Sequence, residues 1–121
     1  MAKSILVVED QEDNRQILRD LLSSADYEMV EAENGQQAID AVAKKKPDLI
    51  LMDIQLPIMD GYEATRRIKA NPDWKEIPII VVTSYALSGD AEKARAAGCD
   101  DYVTKPYSPR QLLAKIREFL K

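Results

Sequence analysis

Polar residues follow four of the short apolar runs in this 121-residue sequence, and their types could do chemistry together. They are Glu9-Asp10, Asp53, Thr83-Ser84 and Thr104-Lys105-Pro106. Each has an ordinary explanation on its own, because acids start helices, hydroxyls cap them and single lysines are usually exposed. If the runs are parallel strands of one sheet, however, the motifs meet beyond the same edge, where such sheets bind their ligands. Their coincidence then favours a functional site.

The three acids define the chemistry that this set permits. Crowded carboxylates raise one another's pKa unless a cation neutralises them. Oxygen ligands suit a hard ion, so Mg²⁺ is the expected partner of Glu9, Asp10 and Asp53. A magnesium ion beside a carboxylate and a lysine is typical of phosphoryl transfer, and a carboxylate can itself form an acyl phosphate. Asp53 is the candidate nucleophile because it closes the most buried run, while Lys105 and the Thr83 hydroxyl would meet phosphate oxygens.

Composition excludes several other classes. The sequence has no histidine, which removes Ser-His-Asp, Cys-His and histidine-ligated metal mechanisms. The single cysteine, Cys99, excludes an internal disulfide framework and is expected to be a small buried hydrophobe in a reducing compartment. The net charge of -4 argues against nucleic acid or an anionic membrane as the main partner. Apolar runs are far shorter than the ~20 residues that span a bilayer, and no signal peptide is evident, so we expect a cytoplasmic protein.

The elements that must position these side chains alternate along the chain. Apolar runs predict five strands, three of them continuous as in strands buried on both faces, and stretches of helical spacing between the runs predict five helices. The strands are expected at 5–8, 27–30, 49–52, 79–82 and 99–103, and the helices at the stripe Ile17, Leu18, Leu21 and Leu22, at 34–45, 62–70 and 87–97, and at the stripe 112–120. This alternation predicts an α/β fold, a doubly wound parallel sheet within one domain over residues 1–121.

Residues at the ends of these elements agree with this prediction. Gly98 follows the fourth helix, where a left-handed residue is often needed, and Ser108-Pro109 places a capping hydroxyl before a proline suited to a first turn. The three lysines at 44–46 complement a helix end that Pro47 stops. The fourth helix depends on alanines, so we expect it to be the least firmly packed.

The motifs resemble those of the receiver domain of bacterial response regulators. V-E-D after the first strand, L-M-D-I-Q-L-P-I-M-D-G at 51–61, V-T-S at 82–84 and T-K-P at 104–106 stand in the family's order and spacing. The likeness covers essentially the whole chain and is to CheY-like and DivK-like single-domain receivers of two-component systems, and to receiver modules of hybrid kinases. It implies a flavodoxin-like sheet of strand order 2-1-3-4-5.

The resemblance also implies roles for the site residues. Asp53 would accept a phosphoryl group from a histidine of a partner sensor kinase or phosphotransfer protein. Asp10 and Asp53 would bind Mg²⁺, for which Mn²⁺ is expected to substitute, with Glu9 acting directly or through water and the Gln55 backbone carbonyl completing the site. Lys105 would pair with the phosphoryl group.

A conformational switch is the next implication of the resemblance. Thr83 would move toward the phosphoryl group and Tyr102 would rotate inward, changing the face made by the fourth helix, fifth strand and fifth helix. The Lys105–Pro106 bond is expected to be cis, and Pro57 and Gly61 would shape the loop after Asp53, the glycine through its backbone freedom.

Output through a downstream protein is expected, since the fifth helix runs to the last residue, Lys121, unless the chain is a receiver cut from a larger protein. A monomer is expected, with dimerisation on phosphorylation as the alternative. Bulky Tyr85, two residues after Thr83, is hypothesised to lengthen the lifetime of the acyl phosphate by limiting access of water.

Two other functions stay open. The first is a magnesium-dependent phosphohydrolase with an aspartyl phosphate, although Gln55 stands where such enzymes typically hold a second acid, and no cap domain is present to hold a substrate. The second is a binding module that keeps the fold without phosphorylation, although such modules usually lose the acids or the lysine. Nucleotide sites are excluded because neither G-x-x-x-x-G-K-[ST] nor G-x-G-x-x-G occurs. The leading prediction is therefore a signalling receiver rather than an enzyme.

Overall fold

The structure is a computed structural model that describes residues 2–83 and 90–120. Five parallel strands form one sheet in the order β2-β1-β3-β4-β5, as the resemblance implied. The strands are β1 Ser4–Val8, β2 Glu28–Ala32, β3 Leu49–Asp53, β4 Ile79–Thr83 and β5 Asp101–Thr104. The helices are α1 Glu12–Ser24, α2 Gly35–Lys44, α3 Gly61–Ala70, α4 Asp90–Ala97 and α5 Pro109–Phe119. The predicted α/β architecture is confirmed.

Burial explains why the central strands were the easiest to predict. All five residues of β1, of β3 and of β4 are buried, as expected for strands covered on both faces. The edge strand β2 buries only Ala32 fully, so its apolar signal is weak and it begins one residue and ends two residues later than predicted. β5 begins at Asp101 rather than Cys99, because Cys99 and Asp100 belong to the irregular segment between Gly98 and the strand.

Two hydrophobic clusters cover the two faces of the sheet. One joins strand residues to α2, α3 and α4 through Ala38, Val42, Ala64, Ile68 and Ala94. The other joins the opposite face to α1 and α5 through Leu18, Leu22, Leu112 and Ile116. Helices on both faces make the sheet doubly wound, which leaves its carboxyl end open to solvent.

Helix ends follow the predicted capping residues. Ser108 Oγ accepts a hydrogen bond from the Gln111 N–H at 3.4 Å, and Pro109 stands at the start of α5. Gly98 has a φ of 100°, so a left-handed residue does follow α4. Ser84, Tyr85 and the beginning of the predicted 87–97 helix lie outside the described residues.

Three details differ from expectation. Ile17 is 55% exposed, because Leu18 and Leu22 occupy the buried stripe of α1 and Ile17 lies one position to the side. Cys99 is half-buried rather than buried, and burial, followed by the charge of Asp100, raises the pKa of its thiol to about 11. Gly61 is needed for a close approach rather than for backbone freedom: a Cβ there would lie 2.0 Å from the Asp53 carbonyl oxygen.

Across residues 2–83 and 90–120 we find no helix with the length and hydropathy required to cross a membrane.

Candidate functional site

The carboxyl edge of the sheet, which we define by Glu9, Asp10, Asp53, Thr83 and Lys105, brings together the motifs that were separate in the sequence. Glu9 and Asp10 follow β1, Asp53 and Thr83 are the last residues of β3 and β4, and Lys105 follows β5. Lys105 is held there because its N–H donates to the Thr83 carbonyl at 2.7 Å, and its peptide bond to Pro106 is cis.

Lys105 bridges two of the acids. Its Nζ donates to Glu9 Oε1 at 3.0 Å and to Asp53 Oδ2 at 3.1 Å. The Glu9 and Asp53 side chains are only 5% and 8% exposed, so both ion pairs are partly removed from water. Burial by itself lowers the pKa of Lys105, but the hydrogen bond to Glu9 and the charge of Asp53 outweigh it and raise the pKa above its usual value.

The Glu9 carboxylate is fixed by its own loop as well. Its Oε2 accepts from the Gln11 N–H at 3.0 Å, and its Oε1 accepts from Asn14 Nδ2 at 3.2 Å. These hydrogen bonds hold the buried Glu9 carboxylate in one orientation, toward Asp53.

The acids have the composition of a hard-cation site. One carboxylate oxygen from each of Glu9, Asp10 and Asp53 lies within 4.8 Å of the others. In the part of the chain that the structure describes, Lys105 is the single cation within ion-pair distance of these acids, so negative charge is in excess. Clustered carboxylate oxygens with unbalanced charge fit Mg²⁺, which prefers oxygen ligands and keeps several waters.

The loop after Asp53 is tightly constrained. The Gln55 N–H donates to Asp53 Oδ1 at 3.2 Å, and the Gly61 N–H donates to the Ile54 carbonyl at 3.0 Å. Ile58 has a φ of 70°, an uncommon conformation for a β-branched residue, and its side chain is 84% exposed. Such strain persists only where the surrounding structure over-determines it, and it is frequent at functional sites.

The two predicted switch residues lie on neighbouring strands. Thr83 is buried at the end of β4, and Tyr102 on β5 is partly buried against the cluster that includes α4. Tyr102 pairs in register with Val81, and Thr104 pairs with Thr83. Tyr102 therefore lies two positions along β5 from the residue that pairs with Thr83, on the strand that leads to Lys105.

A cleft of about 460 Å³ opens beside Asp53 and was not predicted. Its polar part comes from Glu9, Asn14, Asp53 and Lys105. Its apolar walls come from α1, from β1, β3 and β4 and from the segment after Lys105; these walls include Ile17, Leu18, Pro106, Tyr107 and Pro109. Burial, with smaller contributions from neighbouring charges, raises the pKa of Tyr107. The sequence carries no signal for the cleft, because its pattern places Ile17 in the buried stripe of α1 and only the structure shows it to be exposed.

Asn14 and Arg15 were also missed. Both are polar residues in a helix and resemble ordinary surface positions in the sequence, but Arg15 is buried and Asn14 contacts Glu9. Asn14 contacts Glu9 across the turn that starts α1, and Arg15 also reaches Glu31 on β2; residue type and spacing alone do not reveal either contact.

Comparison with known proteins agrees with this geometry. The family model of the response regulator receiver domain matches residues 5–117. The polar-differentiation response regulator DivK of Brucella anthropi is 42% identical over 120 residues, covering 99% of this chain and 98% of that protein.

Solved structures are similar over the same length. The receiver domain of the sensor histidine kinase PA1611 from Pseudomonas aeruginosa PAO1, with a magnesium ion coordinated in its active site cleft, is 36% identical with a TM-score of 0.92, covering 99% of this chain and 98% of that one. The Mn²⁺-bound form of the response regulator Rcp1 is 29% identical with a TM-score of 0.82, covering 96% of this chain and 90% of that one. Receiver domains are signalling switches rather than enzymes in the usual sense. By fold, motif order and similarity over its whole length, this chain belongs to the response regulator receiver domain family of two-component systems.

Proposed function

We propose that Asp53 accepts a phosphoryl group from a histidine of a sensor kinase or of a phosphotransfer protein. The observation that carries this proposal is the arrangement at the carboxyl edge, where the Lys105 ammonium bridges Glu9 and Asp53 beside an excess of carboxylate. A buried aspartate that is oriented by a lysine and by the Gln55 N–H is positioned as a nucleophile, not as a surface acid.

The transfer is an exchange of bonds at phosphorus. An Asp53 oxygen forms a bond to phosphorus while the bond from phosphorus to the donor's imidazole nitrogen breaks, and the imidazole leaves with that electron pair and gains a proton. Lys105 neutralises charge on the phosphoryl oxygens, and the Thr83 hydroxyl donates to one of them. Because the chain has no histidine, the donor imidazole lies outside these 121 residues.

Glu9, Asp10 and Asp53 are the side chains proposed to hold Mg²⁺, together with the Gln55 backbone carbonyl. A bound divalent ion would neutralise phosphoryl oxygens as they approach the acids, and Mn²⁺ is expected to serve as well because it accepts the same ligands. The excess of carboxylate supports this assignment.

The proposed output is a change at the face formed by α4, β5 and α5. Thr83 would shift toward the phosphoryl group and Tyr102 would turn inward, so that a downstream protein binds this face differently. Within the described part of α4 the buried side chains are both alanines, Ala94 and Ala97, which fits an element of low local stability. We propose that the whole chain acts as one cytoplasmic receiver domain, monomeric before phosphorylation.

Phosphorylation from a small donor tests the proposal. The wild-type protein is incubated with Mg²⁺ and acetyl phosphate, and its intact mass is measured beside Asp53→Asn and the control Asp48→Asn. Asp48 is an exposed acid whose carboxylate accepts from the Ser4 N–H at the opposite edge of the sheet. We expect one phosphoryl group per chain for the wild type and for Asp48→Asn, and none for Asp53→Asn.

Other outcomes separate the alternatives. Multiple turnover on phosphate esters would support a phosphohydrolase, and no adduct under any condition would support a binding module. An adduct that survives in Asp53→Asn would place the acceptor elsewhere and contradict the proposal.

A further inference from the structure

Arg15 on α1 is a buried arginine that the proposed chemistry does not use. It is 8% exposed, which is rare for arginine unless its donors are paired. Its Nη1 donates to the Glu9 carbonyl oxygen at 2.8 Å, its Nε to Glu31 Oε1 at 3.1 Å and its Nη2 to Glu12 Oε2 at 2.6 Å. Glu33 lies farther away, with its Oε1 3.6 Å from Nη2.

The Glu9 carbonyl belongs to the peptide that joins the two acids following β1. The N–H on the other side of Glu9 donates to the Ala32 carbonyl of β2 at 3.0 Å. The backbone of Glu9 is therefore held from both sides, by a strand on one and by a guanidinium on the other. The Glu9 and Asp10 side chains both project from this fixed point.

From this contact we infer that Arg15 is a positioning residue, which orients the Glu9–Asp10 peptide so that both carboxylates converge with Asp53 on one cation. The inference rests on the metal site of the proposed function. Arg15 does not touch the cation itself. It acts through a backbone carbonyl, as outer contacts of metal sites commonly act through the ligands.

The acids around Arg15 explain how a guanidinium can lie this close to a site for a divalent cation. Glu31 anchors it from β2 and Glu12 from the first turn of α1, so its positive charge is locally neutralised. The planar fork of arginine reaches the carbonyl and both carboxylates at once, whereas a lysine ammonium concentrates its donors at one point.

Arg19 provides a matched control. It shares Glu12 and Glu31 with Arg15, since its Nη2 lies 3.3 Å from Glu12 Oε1 and 2.6 Å from Glu31 Oε1. Its other described hydrogen bonds go to Glu31 Oε2 and to Gln16 Oε1, and none of these contacts involves Glu9. Loss of Arg19 therefore disturbs the same charges without releasing the carbonyl.

Magnesium affinity is the measurement that separates positioning from charge balance. We would titrate MgCl₂ into wild type, Arg15→Met, Arg19→Met and Asp53→Asn by calorimetry, with no phosphodonor. Loss of an outer contact typically weakens metal binding by about 10–100-fold, so we expect Arg15→Met to raise the Kd by about 10-fold. Arg19→Met is expected to stay within about twofold of the wild type, as for a surface ion pair. An unchanged Kd in Arg15→Met, or an equal loss in Arg19→Met, would overturn the inference.

Conservative variants cover the case in which Arg15→Met does not fold. Arg15→Lys keeps the charge but cannot bridge the carbonyl and the carboxylates together, so a Kd between those of wild type and Arg15→Met is expected, with Arg19→Lys unchanged. Equal affinity in Arg15→Lys and Arg19→Lys would refute the positioning role. If the wild-type protein binds no Mg²⁺, both the metal site and the inference are refuted. If the wild type binds Mg²⁺ and affinity falls in Asp53→Asn but not in Arg15→Met, only the positioning role of Arg15 is refuted.

Discussion

The two edges of the sheet use charge in opposite ways. At the amino edge, which we define by Ser4, Asp48, Lys69, Asp100 and Asp101, charged side chains bind the backbone of the loops. Lys69 Nζ donates to Asp100 Oδ2, to the Ile77 carbonyl and to the Lys75 carbonyl, at 2.8, 2.8 and 3.0 Å. At the carboxyl edge three acids cluster around one lysine, which forms ion pairs with only two of them, Glu9 and Asp53.

The difference separates charges that bind loop backbone from the charges of the proposed site. Asp100 also accepts from the Ile79 N–H at 2.8 Å, so the amino edge meets its hydrogen-bonding needs within the chain. The carboxyl edge keeps acids that repel one another, and a bound cation would relieve that repulsion. Functional sites are commonly less stable than the rest of a protein. The following substitutions test whether the carboxyl edge of this sheet is less stable than its amino edge.

Glycine substitutions are expected to have the largest effect. A Cβ on Gly61 at the carboxyl edge would lie 2.0 Å from the Asp53 carbonyl oxygen, so the backbone there would have to shift. Gly61→Ala should therefore lower the free energy of unfolding by about 3 kcal/mol and abolish phosphorylation of Asp53. Gly98 near the amino edge has a φ of 100° and only the flexible Lys69 side chain nearby, so Gly98→Ala should cost about 1–2 kcal/mol and leave phosphorylation intact. Urea denaturation and adduct mass measure both. Equal losses would contradict the comparison.

Lys69→Met tests the amino edge directly. The substitution removes a donor from the Ile77 and Lys75 carbonyls and from the exposed Asp100 carboxylate, and the Lys69 side chain itself is only 15% exposed. We expect a loss of about 2 kcal/mol in the free energy of unfolding, because backbone carbonyls lose the charged donor that the Lys69 ammonium supplies. Mg²⁺ affinity, measured by calorimetry, should stay within twofold of the wild type. A weakened metal site would show that the two edges are coupled.

The sequence predicts the strand-end side chains well because a parallel sheet brings its carboxyl ends to one edge whatever the loops do. Continuous apolar runs located β1, β3 and β4 to within one residue. The amino edge was not predicted: Lys69 is one lysine among several in the sequence, and its role depends on Asp100, 31 residues away. Arg15 was missed for the same reason, since Glu31 belongs to the next strand. Sequence spacing predicts which residues the sheet topology brings together, but it does not predict which charged side chains bind backbone groups or acids on another element.

Asp10→Asn should change stability in the opposite direction from Asp100→Asn. Removing one of three carboxylates whose oxygens lie within 4.8 Å relieves repulsion, so in EDTA Asp10→Asn should be more stable than the wild type by about 1 kcal/mol. Asp100→Asn should be less stable, because it weakens the acceptor of Lys69 and of the Ile79 N–H. Thermal unfolding in EDTA and in saturating Mg²⁺ measures both.

Magnesium provides the control for that prediction. Binding to the native state stabilises the wild type but not a variant that has lost a ligand, so the ranking of wild type and Asp10→Asn should reverse in Mg²⁺. The same ranking in both solutions would mean that Asp10 is not a ligand.

The smallest effect is expected for Lys115→Met. Lys115 Nζ pairs with Asp101 Oδ2 at 2.9 Å at the amino edge, but both side chains are about a third exposed, and the ammonium makes no described contact with a backbone carbonyl. Exposed pairs contribute about 0.5 kcal/mol or less, so a small loss in dilute buffer should vanish in 1 M salt, where the Debye length is about 3 Å. The loss in Lys69→Met should persist in salt, because most of it comes from backbone carbonyls left without a donor. Equal losses in the two variants would mean that ion pairing alone, rather than closure of the loops, stabilises this edge.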